Sequence, residues 1–432
     1  MKLTNFRVNG FKNLKDTKIE LEGITSLVAF NNYGKSNLFD ALQFGLNFIS
    51  SSNKEKLNMM KLIECIPINK ELANENYKFE LELAFAEDEE ADFSYCQYGY
   101  EFKWEKNDKS GARIISEFLK IKPRGEKKKY EQIIKRDENT VQYKRNASGR
   151  CSHHISIEKN ELVISKLKSF DSLYYLDILN KINEVNFILE RHLDASQMYN
   201  MTPFKMRDEN IFDMDDLPRT LASLNENYKD RYELLKNSFI QLFPNIRDIQ
   251  IKSHEFKNGK EYEKFLKDAP FVIKDEIHKL LVIDENLNQP IDFRMMSDGV
   301  KRMLALLTRI VTSELENCSL VAIEEPENSI HPTLLKAFLT IVNELKGNSQ
   351  ILFASHSPFL VQYLDLKNIY FGMPNNHGIA YFKNIKSVHE RNKILKEAIS
   401  CDMNIGEYCF DLLVDATNDN ERFISIFGSD IE

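Results

Sequence analysis

The sequence predicts an α/β fold that contains an antiparallel β subdomain and a helical insertion. Near the N-terminus, an apolar strand, a short polar loop and an amphipathic helix follow one another within the first 50 residues. From about residue 77 to residue 143 the hydrophobic pattern has period two, and after about residue 290 strands alternate with helices. Strand–helix alternation at both ends indicates one α/β sheet that resumes after an insertion of roughly 200 residues. We therefore divide the 432 residues into segments 1–150, 151–290 and 291–432.

The first segment begins with three predicted strands and a helix. Leu3–Asn9 and Thr17–Leu21 flank a glycine-containing loop and are predicted to be strands. Residues 24–30 form a nearly continuous apolar and β-branched run, which is typical of a strand buried on both faces. Lys35–Ile49 has apolar residues at helical spacing and is predicted to be a helix.

The segment Tyr77–Tyr143 predicts antiparallel strands. Apolar side chains such as Phe79 and Leu81 alternate with charged residues, as in a sheet with one buried face. The run 107–111, Asn-Asp-Lys-Ser-Gly, is typical of a turn between two strands. We interpret the acidic run 87–92 as a solvated loop.

Residues 155–290 are predicted to be mainly helical. Leu167–Leu193 and Leu217–Phe243 repeat apolar residues at intervals of three and four. Neither segment sustains enough heptads for a long coiled-coil arm. The last third returns to strands and one helix, which we place at Leu320–Ile323, Thr333–Leu345 (the helix), Gln350–Ala354 and Asn368–Gly372.

The composition excludes several classes of protein. With 42% hydrophobic and 29% charged residues, the chain is not wholly disordered. The net charge of -8 argues against a protein that coats nucleic acid with its whole surface, and leaves a local basic patch open. The 6 cysteines form no Cys-x-x-Cys pair, so neither a disulfide scaffold nor a zinc ribbon is expected. No uncharged apolar run approaches about 18 residues, and we expect a cytoplasmic protein without membrane contact.

A phosphate-binding loop is predicted directly after the buried strand. Residues 29–36, Ala-Phe-Asn-Asn-Tyr-Gly-Lys-Ser, fit the phosphate-loop pattern, with alanine where glycine is commoner. Backbone N–H groups must converge on the phosphates, and Gly34 permits that close approach. We expect Lys35 to contact the β- and γ-phosphates of ATP, and Ser36 to bind Mg²⁺. The other predicted nucleotide contacts in and after the loop are Asn31, Asn32, Tyr33 and Asn37.

Two carboxylates follow a second apolar strand. Residues 320–323 are all apolar and are followed by Glu324 and Glu325, which places both acids at the carboxyl edge of the sheet. Pro326 cannot continue a central strand and turns the chain. Glu324 is predicted to bind the magnesium ion, and Glu325 to polarise the attacking water. Acids at a strand end are often only a solvated loop, so this prediction depends on the phosphate loop.

Two further motifs have a structural and a functional interpretation. Ser297 precedes a predicted helix and Gly299 lies in its first turn. Capping is the ordinary role of such a serine, although a helix N-terminus also binds a phosphate well. His356 follows the buried strand Gln350–Ala354, at the same sheet edge as the other candidates, which favours contact with a γ-phosphate.

These motifs, in this order, resemble the ATP-binding-cassette ATPases of the SMC, RecF and OLD type. Among these, the sequence is most similar to AAA-labelled bacterial ATPases that share this head. The residues that carry the resemblance are Gly34-Lys35-Ser36, Ser297-Asp298-Gly299, Glu324-Glu325-Pro326-Glu327-Asn328 and Ser355-His356-Ser357-Pro358. The opening residues 5–12 also look like the first strand and adenine-side loop of the family.

The resemblance implies an ABC-type P-loop ATPase head that works as a homodimer or a higher homo-oligomer. Two heads would enclose two ATP molecules, each held by one subunit and covered by Ser297 and Gly299 of the other. The loop at 328–331 would cross that interface. Glu324 stands where the family usually has aspartate, and as a longer acid it should still reach Mg²⁺. The glutamine loop of the family is not assigned, because Gln97, Gln132 and Gln142 all remain candidates.

Two departures from the family narrow the predicted function. From the sequence we expect neither the coiled coil of SMC proteins nor the C-terminal TOPRIM nuclease domain of OLD proteins. We therefore expect an ATP-hydrolysing switch that controls a separate effector, a nuclease or a toxin, in bacterial anti-phage defence. The alternatives are a DNA-repair clamp on duplex ends and a non-hydrolysing scaffold that nucleotide stabilises. A transporter subunit is disfavoured by the size of the insertion.

Two weaker candidate sites lie near the end of the first segment. Lys120–Arg150 is rich in lysine and arginine, with Tyr130 and Tyr143 interleaved, and could contact nucleic acid. The ordinary interpretation of such a stretch is a lysine-rich hairpin that keeps an exposed β edge soluble. Cys151, His153 and His154 could bind a metal, but their spacing matches no zinc pattern and we expect none there.

Overall fold

A computed structural model gives the fold of the chain. It describes residues 1–86, 92–106, 108, 110–125, 128–170, 172–191, 199, 204–206, 212–255, 271–273, 276–328, 330–373 and 378–418. Contacts divide the chain into two compact units. Unit 1 comprises Met1–Leu189, Cys318–Glu325 and Asn348–Glu432, and unit 2 comprises Glu190–Asn317 and Pro326–Gly347. The division at 150 and 290 stays a prediction.

The described strands and helices follow one another along the chain. The strands are β1 (Lys2–Asn9), β2 (Thr17–Glu20), β3 (Ile24–Val28), β4 (Tyr77–Ala84), β5 (Phe93–Lys103), β6 (Arg113–Pro123), β7 (Glu131–Arg136), β8 (Val141–Tyr143), β9 (His153–His154), β10 (Phe187–Glu190), β11 (Phe204–Met206), β12 (Ile246–Glu255), β13 (Phe271–Ile273), β14 (Glu276–Asp284), β15 (Ile291–Asp292), β16 (Leu320–Glu324), β17 (Gln350–Ser355), β18 (Ile369–Met373) and β19 (Tyr381–Asn384). The helices are α1 (Lys35–Ser50), α2 (Asn53–Met59), α3 (Val163–Leu167), α4 (Leu176–Asn183), α5 (Leu217–Asn227), α6 (Lys229–Leu242), α7 (Asp298–Leu315), α8 (Pro332–Leu345), α9 (Pro358–Tyr363), α10 (Val388–Ser400) and α11 (Ile405–Asn418).

The antiparallel sheet of unit 1 has the order β2-β1-β4-β5-β6-β7-β8-β9. The alternating pattern predicted these strands correctly, because every second residue of β4 is buried and its neighbours are half-buried. Between β5 and β6, at the position of the predicted turn, the amide of Lys106 donates to the carbonyl of Ser110. Asn107 and Lys109 of that turn, and residues 87–91 of the acidic run, lie outside the described residues.

The parallel sheet of unit 1 has the order β10-β16-β17-β3-β18-β19. Strands β16, β17, β3 and β18 run parallel, and β19 closes one edge in the antiparallel direction. All five residues of β3 and all six of β17 are buried, which confirms that these apolar runs are central strands. Since parallel strands end at one edge, β3, β16 and β17 present the residues that follow them side by side.

Unit 2 contains the helices α5, α6, α7 and α8 and a sheet of β12, β14 and β15. The predicted helix Leu217–Phe243 is confirmed as two helices, which meet at Tyr228. Arg231 connects three of the helices: its guanidinium donates to Glu314 of α7 at 2.7 Å and to the carbonyl of Leu345, the last residue of α8, at 3.0 Å.

Two predictions for the middle of the chain are wrong. A single helix over 167–193 is not formed: α4 covers only Leu176–Asn183, and Phe187–Glu190 is a strand beside β16. Pairing at the sheet edge overrides the local helical spacing, because short apolar runs fit either structure. Residues 246–255 and 276–284 are likewise not helical, since β12 and β14 pair as antiparallel strands. None of the helices in the described ranges has both the length and the apolar character required to cross a lipid bilayer.

Candidate nucleotide-binding site

The loop between β3 and α1 has the conformation that its glycine permits. Gly34 has φ 93°, in the left-handed region, and precedes the first turn of α1. A Cβ at this position would lie 2.6 Å from Cβ of Ala380 and 3.2 Å from Oδ1 of Asn13. Both the backbone conformation and the available space therefore require glycine, as the phosphate-loop pattern predicts.

The lysine of the loop folds back onto the loop itself. Nζ of Lys35 donates to the carbonyl oxygens of Ala29 at 2.6 Å and Phe30 at 3.0 Å. These are two neutral acceptors, and a phosphate oxygen is a stronger partner for an ammonium group. The ammonium group thus lies in the loop, beside the surface on which a phosphate would be bound.

The first turn of α1 is held by the loop that follows β1. Nδ2 of Asn37 donates to Oδ1 of Asn13 at 2.8 Å, and Lys12 forms an ion pair with Asp40 at 2.6 Å. The backbone carbonyl of Asn13 also accepts from the amide of Ala380 at 2.8 Å. The sequence identified this loop but gave Asn13 no role, because its partners are distant in the chain.

The two carboxylates lie at the same sheet edge as the loop. Glu324 is the register partner of Ala354 in β17, and Ala354 is the partner of Leu27 in β3. The end of β16 is therefore level with the end of β3. The amide of Glu325 continues the pairing by donating to the carbonyl of Ala354 at 2.8 Å. Glu325 itself has φ 49°, a left-handed conformation that glutamate rarely adopts.

His356 faces Glu325 from the end of β17. Its Nδ1 lies 3.3 Å from Oε1 of Glu325, and both side chains are partly exposed, at 42% and 38%. The buried hydroxyl of Ser355 accepts from the amide of Ser357 at 2.9 Å and shapes the turn that presents the histidine. The structure therefore brings these two predicted residues together.

A cleft of about 340 Å³ joins the loop and the carboxylates. It is lined by Asn31, Asn32, Tyr33, Gly34, Lys35, Ser36, Asn37, Glu324, Glu325 and Ala354. All of these residues belong to unit 1. The predicted phosphate loop and the predicted carboxylates, which are far apart in the sequence, thus line one cavity. Their roles in binding and catalysis stay predictions.

Ser297 and Gly299 lie in unit 2, at the start of α7. The side chain of Ser297 accepts from the amide of Val300 and caps the helix. The capping interpretation is confirmed, and contact of these residues with a nucleotide stays a prediction. In the loop at 328–331, His331 caps α8, whereas Ser329 lies outside the described residues.

The three candidate glutamines make other contacts. Nε2 of Gln97 donates to Glu82 at 2.6 Å, Gln132 donates to the carbonyl of Ile134, and Gln142 lies 3.5 Å from His154. All three belong to the eight-stranded sheet, and none of the three lines the cleft. The glutamine loop remains unassigned.

The basic stretch is less available to nucleic acid than its composition indicates. Arg136 is buried beside Glu117, and Lys144 is buried with its Nζ 2.7 Å from Glu131. Lys120 and Lys122 lie over the rings of Phe118 and Tyr95. Lys127 lies outside the described residues. Nucleic-acid contact through the remaining residues of 120–150 stays a prediction.

No metal-binding cluster of three or more histidines, cysteines or acids occurs in the parts of the chain that the structure describes. Cys151 is half-buried and donates to the carbonyl of Ile133, while His153 and His154 are exposed on β9. The histidine pair is therefore part of a sheet edge.

A strand that leads into a phosphate-loop pattern and a carboxylate strand that ends at the same edge of a parallel sheet are typical of a P-loop ATPase head. The comparison with known families agrees with this class. Residues 31–362 match the family described as "AAA domain, putative AbiEii toxin, Type IV TA system", and the chain belongs to this family.

Solved structures of SMC head domains are similar to the chain in fold. The SMC head bound to the C-terminal winged-helix domain of ScpA has 15% identity and a TM-score of 0.53, over 91% of this chain and 100% of that one. The SMC head from Thermotoga maritima has 11% identity and a TM-score of 0.44, over 90% and 100%. The Pyrococcus furiosus head with an extended coiled coil, bound to the C-terminal domain of ScpA, has 13% identity and a TM-score of 0.49, over 92% and 99%. The first of these shows that the chain has the SMC-like head fold, and no curated protein matches the sequence.

Proposed function

We propose that the protein is a magnesium-dependent ATPase that dimerises around ATP and thereby controls a separate effector. The observation that carries the proposal is the cleft that Lys35, Ser36, Glu324 and Glu325 line together. A triphosphate needs backbone N–H groups, a cation and a metal-binding acid within one cavity. A lysine, a serine and two glutamates rarely lie together at the edge of a parallel sheet for another purpose.

The loop supplies the binding groups for the phosphates. N–H groups at the start of α1 and around Gly34 would bind an anion, and the helix dipole would favour it. Lys35 would exchange the carbonyls of Ala29 and Phe30 for β- and γ-phosphate oxygens. Lys35 would thus contact the loop carbonyls when no nucleotide is present and the phosphate oxygens when nucleotide is bound.

Ser36 and Glu324 fit the requirements of a magnesium ion. Magnesium prefers oxygen ligands and usually takes one or two from the protein, with the remainder from phosphates and water. A hydroxyl and one carboxylate on the same cleft match that donor set. When bound, the ion neutralises charge that develops on the phosphates.

We assign Glu325 the role of acting on the attacking water. The left-handed backbone turns this residue out of the strand, and its carboxylate faces His356. A carboxylate accepts a proton or orients water, whereas the imidazole can donate to a γ-phosphate oxygen. A strained backbone at a carboxylate in a cleft is typical of a functional position.

The dimer follows from the motif at the start of α7. Ser297 and Gly299 of a second copy would cover the γ-phosphate with free N–H groups and a hydroxyl, as the family resemblance implies. ATP would then hold two copies together until it is hydrolysed. The effector would be a nuclease or a toxin encoded as a separate chain, and the toxin–antitoxin description of the family supports a role in anti-phage defence.

The test is ATP hydrolysis by purified protein, with two cleft variants and two matched controls. Lys35→Ala should lose nucleotide binding, and Glu325→Gln should bind ATP but hydrolyse it at least about 100-fold more slowly. Lys54→Ala and Glu64→Gln remove the same charges at exposed positions outside the cleft and should hydrolyse ATP as the natural chain does. Glu325→Gln should also accumulate as an ATP-bound dimer in light scattering.

Two results would contradict the proposal. If the natural chain has no magnesium-dependent ATPase activity, and Lys35→Ala does not change nucleotide binding, the cleft is not the ATP site. If Glu325→Gln hydrolyses ATP normally and its oligomeric state does not respond to ATP, nucleotide acts as a structural ligand and the scaffold alternative is favoured.

A further inference from the structure

The last two helices of unit 1, α10 and α11, pack through one side of each. Ile394 and Ala398 of α10 share an apolar cluster with Leu412 and Leu413 of α11. The hydroxyl of Tyr408 donates to Glu397 at 2.7 Å and fixes the helices against each other. The facing sides of α10 and α11 are therefore packed against each other, and their outward sides are not part of this contact.

The outward side of α10 carries an exposed apolar stripe. Val388, Leu395 and Ile399 have exposed fractions of 62%, 41% and 76%. Their spacing of seven and four residues places them on one side of the helix. A helix that already buries one side does not need three large apolar residues on the other. Such a stripe is typical of a surface that contacts another protein surface.

The charges on exposed side chains have one sign on each helix. Lys393 and Lys396 are exposed on α10, whereas its Glu397 is directed inward to Tyr408. Asp411 and Asp415 are exposed on α11, and α11 has no lysine or arginine. Within the described residues, these two lysines and two aspartates take part in no ion pair. The chain thus presents a basic, apolar helix next to an acidic one.

We infer that α10 and α11 form an interface between two copies of this chain, in which α10 of one copy lies against α11 of the other. A two-fold axis makes this contact twice, because each copy offers both helices. Each contact pairs Lys393 and Lys396 with the aspartates of the other copy. The apolar stripe on each α10 is then covered by the same association.

The area of this surface determines how strongly two copies are expected to associate. Helices of 13 and 14 residues are each about 20 Å long, and two adjacent helices are about 20 Å wide. They offer on the order of 400 Å² per copy, about half of the roughly 800 Å² of a standard interface. We therefore expect a dissociation constant in the micromolar range and weakening by salt, because exposed charges contribute.

This interface is separate from the ATP-dependent dimer. It contains no residue that lines the cleft and requires no nucleotide. A chain with both interfaces would assemble beyond the dimer when ATP is added. Because the measurement below is made without ATP, its result does not depend on the proposed function.

The test is the mass of the full chain in light scattering without nucleotide, as a function of protein and salt concentration. The natural chain should form dimers at tens of micromolar. Lys393→Glu with Lys396→Glu should weaken that dimer at least tenfold, and Asp411→Lys with Asp415→Lys should do the same. An equal mixture of the two double variants should restore it, because each α10 then meets an α11 of opposite charge.

A matched control reverses two exposed lysines elsewhere, Lys54→Glu with Lys70→Glu, and should leave the dimer intact. Monomer at every concentration up to about 100 μM would overturn the inference. A mixture of the charge-reversed variants that stays monomeric would also overturn it. So would loss of the dimer in a chain that ends after Asn418, because the contact would then belong to residues 419–432.

Discussion

Replacement of Gly45 by alanine tests how the helix that follows the phosphate loop is held. A Cβ at Gly45 in α1 would lie 2.3 Å from Cδ2 of Phe79 and 2.6 Å from the hydroxyl of Tyr77. Both side chains are fully buried, so neither can swing into solvent. The Tyr77 hydroxyl donates to the carbonyl of Ala41, and Tyr100 donates to that of Gly45. Any shift of α1 away from the sheet stretches both bonds.

The expected loss follows from three opposing contributions. Alanine stabilises a helix by about 1 kcal/mol relative to glycine. Overpacking in a well-packed core costs about 1–3 kcal/mol, and contacts more than 1 Å too short belong at the upper end. Weakening the bonds from Tyr77 and Tyr100 costs about 1 kcal/mol for each. We predict that Gly45→Ala lowers the free energy of unfolding by about 3–4 kcal/mol.

Urea unfolding followed by tryptophan fluorescence measures this loss directly. Trp104 is the only tryptophan in the chain, and its ring centroid lies 5.8 Å from that of Tyr77. Its fluorescence therefore reports on the aromatic cluster that the substitution disturbs. Gly149→Ala is the matched control, because a Cβ there meets only the carbonyl of Asn146 at 3.4 Å. This control should change the free energy by no more than about 0.5–1 kcal/mol.

A compensating substitution sharpens the test. Phe79→Leu shortens the side chain that the new methyl group meets, so Gly45→Ala should cost less in that background than in the natural chain. If Gly45→Ala is as stable as the natural chain, or more stable, the packing of α1 on the sheet is not as described and the reasoning is refuted.

Three further predictions concern single side chains. Glu325→Asn should be more stable than Glu325→Gln by about 0.5–1 kcal/mol in nucleotide-free urea unfolding, because asparagine tolerates the left-handed backbone; equal stability would show that this conformation is not populated. Arg136→Met should lose about 3 kcal/mol or more, since it leaves the buried carboxylate of Glu117 without its cation, whereas the exposed Arg145→Met should change little; similar values for the two would contradict the buried pair. Burial lowers the pKa of Lys56 to about 8. Between pH 8 and about 10.4 the unfolded chain therefore holds a proton that the folded chain has released. The contribution of Lys56 to the free energy of unfolding thus increases as the pH rises through this window. Lys56→Met should lack this increase, so the natural chain and the variant should show different slopes of unfolding free energy against pH across the window. Parallel slopes would exclude the lowered pKa of Lys56.

The central strands and the phosphate loop could be predicted because their signals are local. β3 and β17 are continuous apolar runs, and a strand buried on both faces has no other simple pattern. The position of the loop at 29–36 between a strand and a helix could be predicted because phosphate chemistry demands glycine, lysine and serine in fixed order, and its phosphate-binding role stays a prediction. The position of Glu324 and Glu325 at the edge of the sheet could be predicted as well, because both residues come directly after an apolar strand.

The remaining features depend on contacts that one sequence does not display. β10 was predicted as helix because a four-residue apolar run fits either structure, and its place beside β16 decided the outcome. Asn13 holds the first turn of α1 through Asn37, but the sequence contains no pairing signal between them. The close approach of Gly45 to the sheet is likewise visible only when α1 and β4 are in place.

The most direct test of the ATPase account is an experimental structure of Glu325→Gln with ATP and magnesium. We predict that the triphosphate occupies the cleft at Lys35, Ser36 and Glu324. Nζ of Lys35 should have left the carbonyls of Ala29 and Phe30 for the β- and γ-phosphates, and Ser297 of a second copy should cover the γ-phosphate. A nucleotide bound at another place, or an empty cleft at saturating ATP, would contradict the account.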